Sequence, residues 1–272
     1  MPFIRKYQGK NVQIIDLDKK NEHSYMVCME EWNESIVKAK PIKEKWCRKM
    51  SGKGLRVKLA LTDDGDVGGM IEYMPIEESY ADGKNLYFIN CIWVHGHPEK
   101  GVGNVQGWGM GKALLKAAED DALSLDVKGM VAWGIAQNFW MTAAWYEKQG
   151  YKRIDQERMY ALVWKPFTPD AVPPKWHRGK FEQELVPGKV KITAFFHGQC
   201  PAQNAVYMNA KRVAEEFGDK VVFEEISMNR AENRRKYGLD TGLYVDGKNI
   251  SEGPPVGYEQ IKAAVGERVK EL

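Results

Sequence analysis

Gln106-Gly107-Trp108-Gly109-Met110-Gly111-Lys112 stands between two patterned segments, and its reading decides the fold. Ahead of it, Leu86-Tyr87-Phe88-Ile89-Asn90-Cys91-Ile92-Trp93-Val94 is dense in aromatic and β-branched residues, as a buried strand requires. Behind it, Leu115, Ala118, Ala122 and Leu125 recur at helical spacing. A glycine-rich turn that opens a helix leaves backbone N–H groups without acceptors at the positive end of the helix dipole. That makes an anion cradle, and a pyrophosphate suits it. Alternate glycines keep Cβ atoms out of the ligand's path.

Three phosphate loops compete for this stretch. A dinucleotide fingerprint needs G-x-G-x-x-G, and the run from Gly107 to Gly111 is one residue out of register. A Walker-type loop needs a hydroxyl after its lysine, but Ala113 follows Lys112. The pattern Q/R-x-x-G-x-G/A fits without a slip at Gln106, Gly109 and Gly111. The competing structural reading is a turn that merely joins strand to helix. A second segment argues against it. Gly129 to Ile135 reads as a short buried strand, and the stretch from Phe139 to Tyr151 reads as a helix ending in Trp145-Tyr146-Glu147-Lys148-Gln149-Gly150-Tyr151. Gly150 is placed to cap that helix in the left-handed conformation.

Taken together, the glycine loop and the Trp145–Tyr151 ending resemble the GNAT (Gcn5-related) N-acetyltransferases, over about residues 1–165. The resemblance implies an α/β (α+β) fold with a mixed central sheet whose two central parallel strands splay apart. It implies acetyl-CoA as co-substrate. Ile92, Trp93 and Val94 would hold the pantetheine arm as an added strand, and Asn138 would reach it. Gln106, Gly107, Trp108, Gly109, Met110, Gly111 and Lys112 would hold the pyrophosphate. Tyr146 falls where the family keeps its general acid, and a phenol of pKa near ~10 matches a thiolate of similar basicity. Glu72 would act as a base through water. Beside these roles stand plainer readings: Tyr146 as a core aromatic, and Glu72 as a solvated carboxylate on the outer face. Cys91 faces either the cleft or the core. The chain departs from the family between Val94 and Gln106, where His95-Gly96-His97-Pro98-Glu99-Lys100-Gly101-Val102-Gly103 forms an extra loop at the cleft mouth. Its two histidines and Glu99 are too few and too flexible for a metal site, so no metal is expected.

The remainder of the chain sets the frame. Its 272 residues allow two domains. A 43% hydrophobic and 11% aromatic content supports packed cores. Net charge is +3, from 40 basic and 37 acidic residues, too balanced for a nucleic-acid or membrane surface. No run of eighteen apolar residues occurs, and the N-terminus leads directly into a strand-like stretch. Cysteines at 28, 47, 91 and 200 show no paired spacing, so a reduced, cytoplasmic protein is expected. Val12–Ile15 reads as a first strand, followed by helical patterns over about 22–33 and 41–50. Strands at Leu55–Leu61 and Val67–Met74 flank the Asp63-Asp64-Gly65-Asp66 turn. Trp32, Trp46 and Tyr73 serve either as an acceptor-binding wall or as core.

Prolines at 166, 169, 173, 174 and 187 mark a linker over 166–188, between a domain at 1–165 and another at 189–272. The second domain reads β-α-β-α-β-β-α, with Cys200-Pro201 opening its first helix. That order resembles thioredoxin-like domains, and the pairing of the two domains resembles the YoaP-like subgroup. No second cysteine follows Cys200, and no proline precedes the hairpin, so dithiol chemistry is not expected. The leading expectation is direct acetyl transfer to the amine of a small molecule or peptide, with a homodimer open. The alternative is a thiol-chemistry or acyl-CoA-binding adaptor acting through Cys200.

Overall fold

The computed structural model describes residues 3–7, 10–137 and 141–272. Fourteen strands and seven α-helices follow in chain order among them. They are β1 (Phe3–Tyr7), β2 (Lys10–Asp16), α1 (Glu22–Met26), α2 (Glu34–Ser51), β3 (Arg56–Leu61), β4 (Val67–Pro75), β5 (Ala81–Asp82), β6 (Tyr87–Val94), α3 (Met110–Ser124), β7 (Gly129–Ile135), α4 (Ala143–Glu147), β8 (Lys152–Glu157), β9 (Tyr160–Pro166) and β10 (Lys175–Trp176). Then come β11 (Val190–Phe196), α5 (Pro201–Phe217), β12 (Val221–Ser227), α6 (Ala231–Tyr237), β13 (Leu243–Val245), β14 (Lys248–Asn249) and α7 (Tyr258–Lys270). The class is mixed α/β. By compactness the chain divides into Met1–Asn33 with Cys47–Trp176, and Glu34–Trp46 with His177–Leu272.

The first unit is built on one eight-stranded sheet in the order β1-β2-β3-β4-β6-β7-β9-β8. All neighbours are antiparallel except β6 and β7. Gly65, in the turn between β3 and β4, takes the left-handed φ of +86° that such a tight connection needs. β4 is buried along nearly its whole length, so its sequence shows no period-two alternation. Helix α3 lies on this sheet through Met110, Ala113, Leu114, Ala118 and Ala122, all buried in one core with Ile71, Ile89, Ile92 and Ala132. It packs closely because β4 carries Gly68-Gly69: a Cβ at Gly68 would sit 2.9 Å from Met110 Cε.

Three local expectations are corrected. The helix expected over 22–33 stops at Met26, because Cys28 and Met29 take positive φ of 50° and 60°. The helix expected from 41 starts at Glu34 and runs through Pro41, which removes one ladder N–H without ending it. The stretch 166–188 is not an irregular tether throughout. Lys175–Trp176 pairs with Ala81–Asp82, and Trp176 is buried against Phe88. Phe181 stacks edge-on with Phe195 and Tyr244 in the second unit.

The second unit holds a four-stranded sheet in the order β12-β11-β13-β14. β11 and β12 are parallel over all seven residues, while β13 and β14 run antiparallel. Its core gathers Val190, Ile192 and Ala194 with Val206, Ala210 and Val213 of α5 and Ile261 and Val265 of α7. Asp246 and Gly247, at φ of 44° and 81°, make the turn between β13 and β14.

Candidate active site

β6 and β7 pair as parallel strands only through Tyr87–Met130, Phe88–Val131 and Ile89–Ala132. Beyond that point β6 runs on to Val94 beside β4, and β7 runs on to Ile135 beside β9. The two parallel strands therefore part, and among the described residues the facing edge of β6 from Asn90 to Val94 has no strand against it. Two features hold the opening. A bulge shifts the β4–β6 register, so Glu72 opposes Cys91, Tyr73 opposes Ile89, and Asn90 is the extra residue. On the other side, Ile135 N–H donates to Met141 O at 2.9 Å and bridges to Thr142, so the end of β7 is already engaged. A Cβ at Gly134 would lie 2.6 Å from Ala143 N, so only glycine admits this segment. At the apex, Trp133 Nε1–H donates to Asn90 O at 2.8 Å.

The glycine loop meets this opening at its outer end. Gly107 and Gly109 take left-handed φ of 84° and 82°, and Gly109 is the N-cap of α3. Ala113 N–H donates to Gly109 O, the first bond of the helix, so the amides of Met110, Gly111 and Lys112 have no acceptor within it. No side chain caps them. A Cβ on Gly107 would meet nothing within 4 Å, so the loop is open at that point. Gly111 lies against Trp145 and Val94, which sets the helix start beside the end of β6. Gln106 Nε2 donates to Val94 O at 3.2 Å and ties the loop to that strand. Lys112 is exposed at the first turn. An anion at this helix start would find unpaired amides, a dipole and one cation.

Tyr146 in α4 is fully buried, and its hydroxyl has no hydrogen-bond partner among the described residues. Burial and the nearby Cys91 thiol push its pKa up, so it is a proton-bearing phenol at neutral pH. A buried hydroxyl without a partner costs free energy unless a ligand atom completes it. The ring is fixed by edge-on contacts with Trp145 and Tyr151, at 5.0 and 5.4 Å. α4 spans only Ala143–Glu147, shorter than the expected helix, and Gly150 takes the left-handed φ of +90° that ends this turn.

Glu72 is fully buried, which overturns the solvated reading. Its Oε2 accepts the Tyr25 hydroxyl at 2.7 Å. Burial and the neighbouring carboxylate raise the Tyr25 pKa well above the phenol range. Glu72 and Cys91, directly opposed on β4 and β6, share one face of the sheet. Ile92 is buried under α3, while Trp93 and Val94 are half-buried. Asn138 lies outside the described residues. Tyr73 is core: it is buried, and its hydroxyl donates to Asp121 Oδ2 at 2.5 Å.

The loop after Val94 is more ordered than its composition suggests. His95 is buried, its N–H donates to Gly68 O, and its carbonyl accepts from Val105 N–H. His95 Nδ1–H donates to Gly103 O at 2.6 Å, which fixes the tautomer because a carbonyl only accepts. Trp32 closes over His95 and His97 edge-on, at 5.2 and 5.5 Å. Among the described residues no group of three or more ligating side chains could hold a metal ion. Sequence reasoning missed Tyr25, Trp133 and Asn90. Only Asn90, a lone amide inside an apolar strand, left a visible signal.

No protein-family model matches this chain, and no curated protein does. Solved structures similar to it include a paia N-acetyltransferase from Thermoplasma acidophilum in complex with coenzyme A, at 18% identity. That match covers 57% of this chain and 99% of the other, with a TM-score of 0.41. The GNAT family N-acetyltransferase YhbS from Escherichia coli in complex with CoA is 13% identical. Here 64% of this chain and 91% of that one are covered, with a TM-score of 0.42. A GNAT family acetyltransferase from Brucella melitensis in complex with acetyl-CoA is 16% identical, covering 60% and 91%, with a TM-score of 0.39.

Proposed function

We propose that the first unit is an acetyl-CoA-dependent N-acetyltransferase of the GNAT type, acting on an amine of a small molecule or peptide. One observation carries the reading: β6 and β7 part after Ile89 and Ala132, with an uncapped glycine-rich helix start at the open end. The opening suits an extended thioester arm, and the helix start suits its pyrophosphate. Ile92, Trp93 and Val94 would bond the pantetheine through their backbone, and Asn138 would assist. The amides from Gly107 to Lys112 would take the phosphates, with Gln106 holding the loop in place.

In this reading the amine attacks the thioester carbonyl directly, and backbone N–H donors hold the oxyanion. Glu72 takes the proton that the amine must lose, through water. Tyr146, a phenol without a partner among the described residues, protonates the leaving thiolate. The second unit is read as thioredoxin-like and YoaP-like, supported by its strand order and by Cys200-Pro201 at the start of α5. The cytoplasmic setting belongs to the same proposal, on the cysteine spacing. Titration calorimetry with acetyl-CoA, followed by a thiol-release screen over amines, tests the reading. Absence of heat at high micromolar acetyl-CoA would remove it.

A further inference from the structure

We propose that Cys91 is a second acyl acceptor of this site: with no amine in place, the acetyl group passes from the CoA thioester to Cys91 Sγ. The inference rests on the acetyl-CoA reading above. Cys91 is the second residue beyond the last β6–β7 pair, one position before the stretch assigned to the pantetheine arm. It is half-buried, where Cys47 is buried in the same unit. Directly across the β4–β6 ladder stands the buried carboxylate of Glu72, on the same face. Near Cys91 is the Tyr146 hydroxyl, fully buried and without a hydrogen-bond partner among the described residues. Beside the effect of burial, Cys91 is near enough for its charge to raise the pKa of that hydroxyl. A thiol thus stands across from a carboxylate and near a buried phenol, beside the parted strands where a thioester would be held.

The step balances without an oxidant or reductant. Glu72 accepts the thiol proton, and Cys91 Sγ attacks the thioester carbonyl carbon, forming a carbon–sulfur bond. The tetrahedral adduct collapses with cleavage of the bond to the CoA sulfur, which takes the Tyr146 proton. Glu72 returns its proton to Tyr146 through water. The products are S-acetyl-Cys91 and free CoA thiol. One thioester replaces another, so the ratio of acetyl-CoA to CoA sets the occupancy, and added CoA reverses it.

The test uses the full chain with acetyl-CoA and no amine. It is read by peptide mass mapping and by exchange of isotopically labelled CoA into the acetyl-CoA pool. Cys91 is expected to gain one acetyl group ahead of Cys28, Cys47 and Cys200, and to lose it when CoA is added. Exchange should fall to background in Cys91→Ala and Cys91→Ser, with acetyl-CoA binding retained by calorimetry. Tyr146→Phe should slow the exchange without weakening that binding. Acetyl-CoA that binds while Cys91 stays unmodified and no label exchanges would overturn the inference. Equal acetylation of all four cysteines would do the same. A chain that binds no acetyl-CoA fails at the earlier step, and both readings fall together.

Discussion

Two parallel strand pairs in this protein behave differently. β11 and β12 stay paired through all seven residues, from Val190–Val221 to Phe196–Ser227. β6 and β7 pair through three and then separate, although both continue as strands. Strand propensity does not explain the contrast, since both pairs are rich in β-branched and aromatic residues. The neighbours do. β12 is an edge strand with one partner, free to follow β11. β6 and β7 are each held by an antiparallel strand on the outer side, and a bulge at Glu72/Tyr73 turns β6 away. A gap in a sheet is made by what grips the strands from outside.

The largest expected effect probes what the gap is for. Tyr146→Phe should lower turnover by about 10²–10⁴-fold, the usual worth of a positioned acid. Affinity for acetyl-CoA should stay within about twofold, by calorimetry. Equal losses in both would make Tyr146 a packing residue.

The next effect concerns the outer grip. Asp121 of α3 receives the Arg56 guanidinium, the Tyr73 hydroxyl and, at 3.5 Å, Lys58. Asp121→Asn should cost about 1.5–3 kcal/mol by urea denaturation, the range for hydrogen bonds to charged groups. Burial alone would raise the Asp121 pKa, but the hydrogen bonds from Arg56 and Tyr73 with the charge of Lys58 lower it below the ordinary carboxylate value. The folded-state pKa being depressed, this contribution is complete above the ordinary value and is lost as pH falls through the depressed one. The Asp121→Asn chain should therefore lose less stability on acidification than the parent.

Gly134→Val should cost about 1–3 kcal/mol, because its Cβ would press on the Ala143 backbone, which cannot swing aside as a side chain can. Acetyl transfer should fall with it. Trp133→Phe removes the donor to Asn90 O at the apex and should cost about 0.5–1.5 kcal/mol. The smallest effect belongs to the pair that stays closed. Cys200→Ser, at the start of the helix after β11, should leave transfer unchanged. A large loss there would favour the thiol-adaptor alternative.

Much of this was legible in the chain. The run from Gln106 to Lys112 announced a helix start, and α3 opens at Met110 with Gly109 as cap. Gly150 was readable as a cap because few other residues accept its φ. The β6 bulge was not legible, because an extra residue in an apolar strand changes no pattern of residue types. Nor was the burial of Glu72. Its partner Tyr25 is 47 residues away, and β4 is covered on both faces, so no alternation marked the inward side. The order of the loop after Val94 was equally hidden. Glycine, proline and lysine suggested looseness, whereas one buried histidine holds Gly68 and Val105 through its backbone and Gly103 through its imidazole.

Helix α2 carries a consequence for anyone dissecting the chain. Its residues Glu34–Trp46 count with the second compact unit, although they precede the whole of β3 to β10. In that unit Trp46 Cβ would lie 3.0 Å from a Cβ on Gly198, two residues before Cys200. A fragment starting at His177 therefore lacks a wall of its own body, and expression of it alone should give an aggregating product. Co-expression with residues 1–176 should restore solubility. The piece that follows the proline-rich stretch should not stand by itself, because its compact unit also draws on Glu34–Trp46.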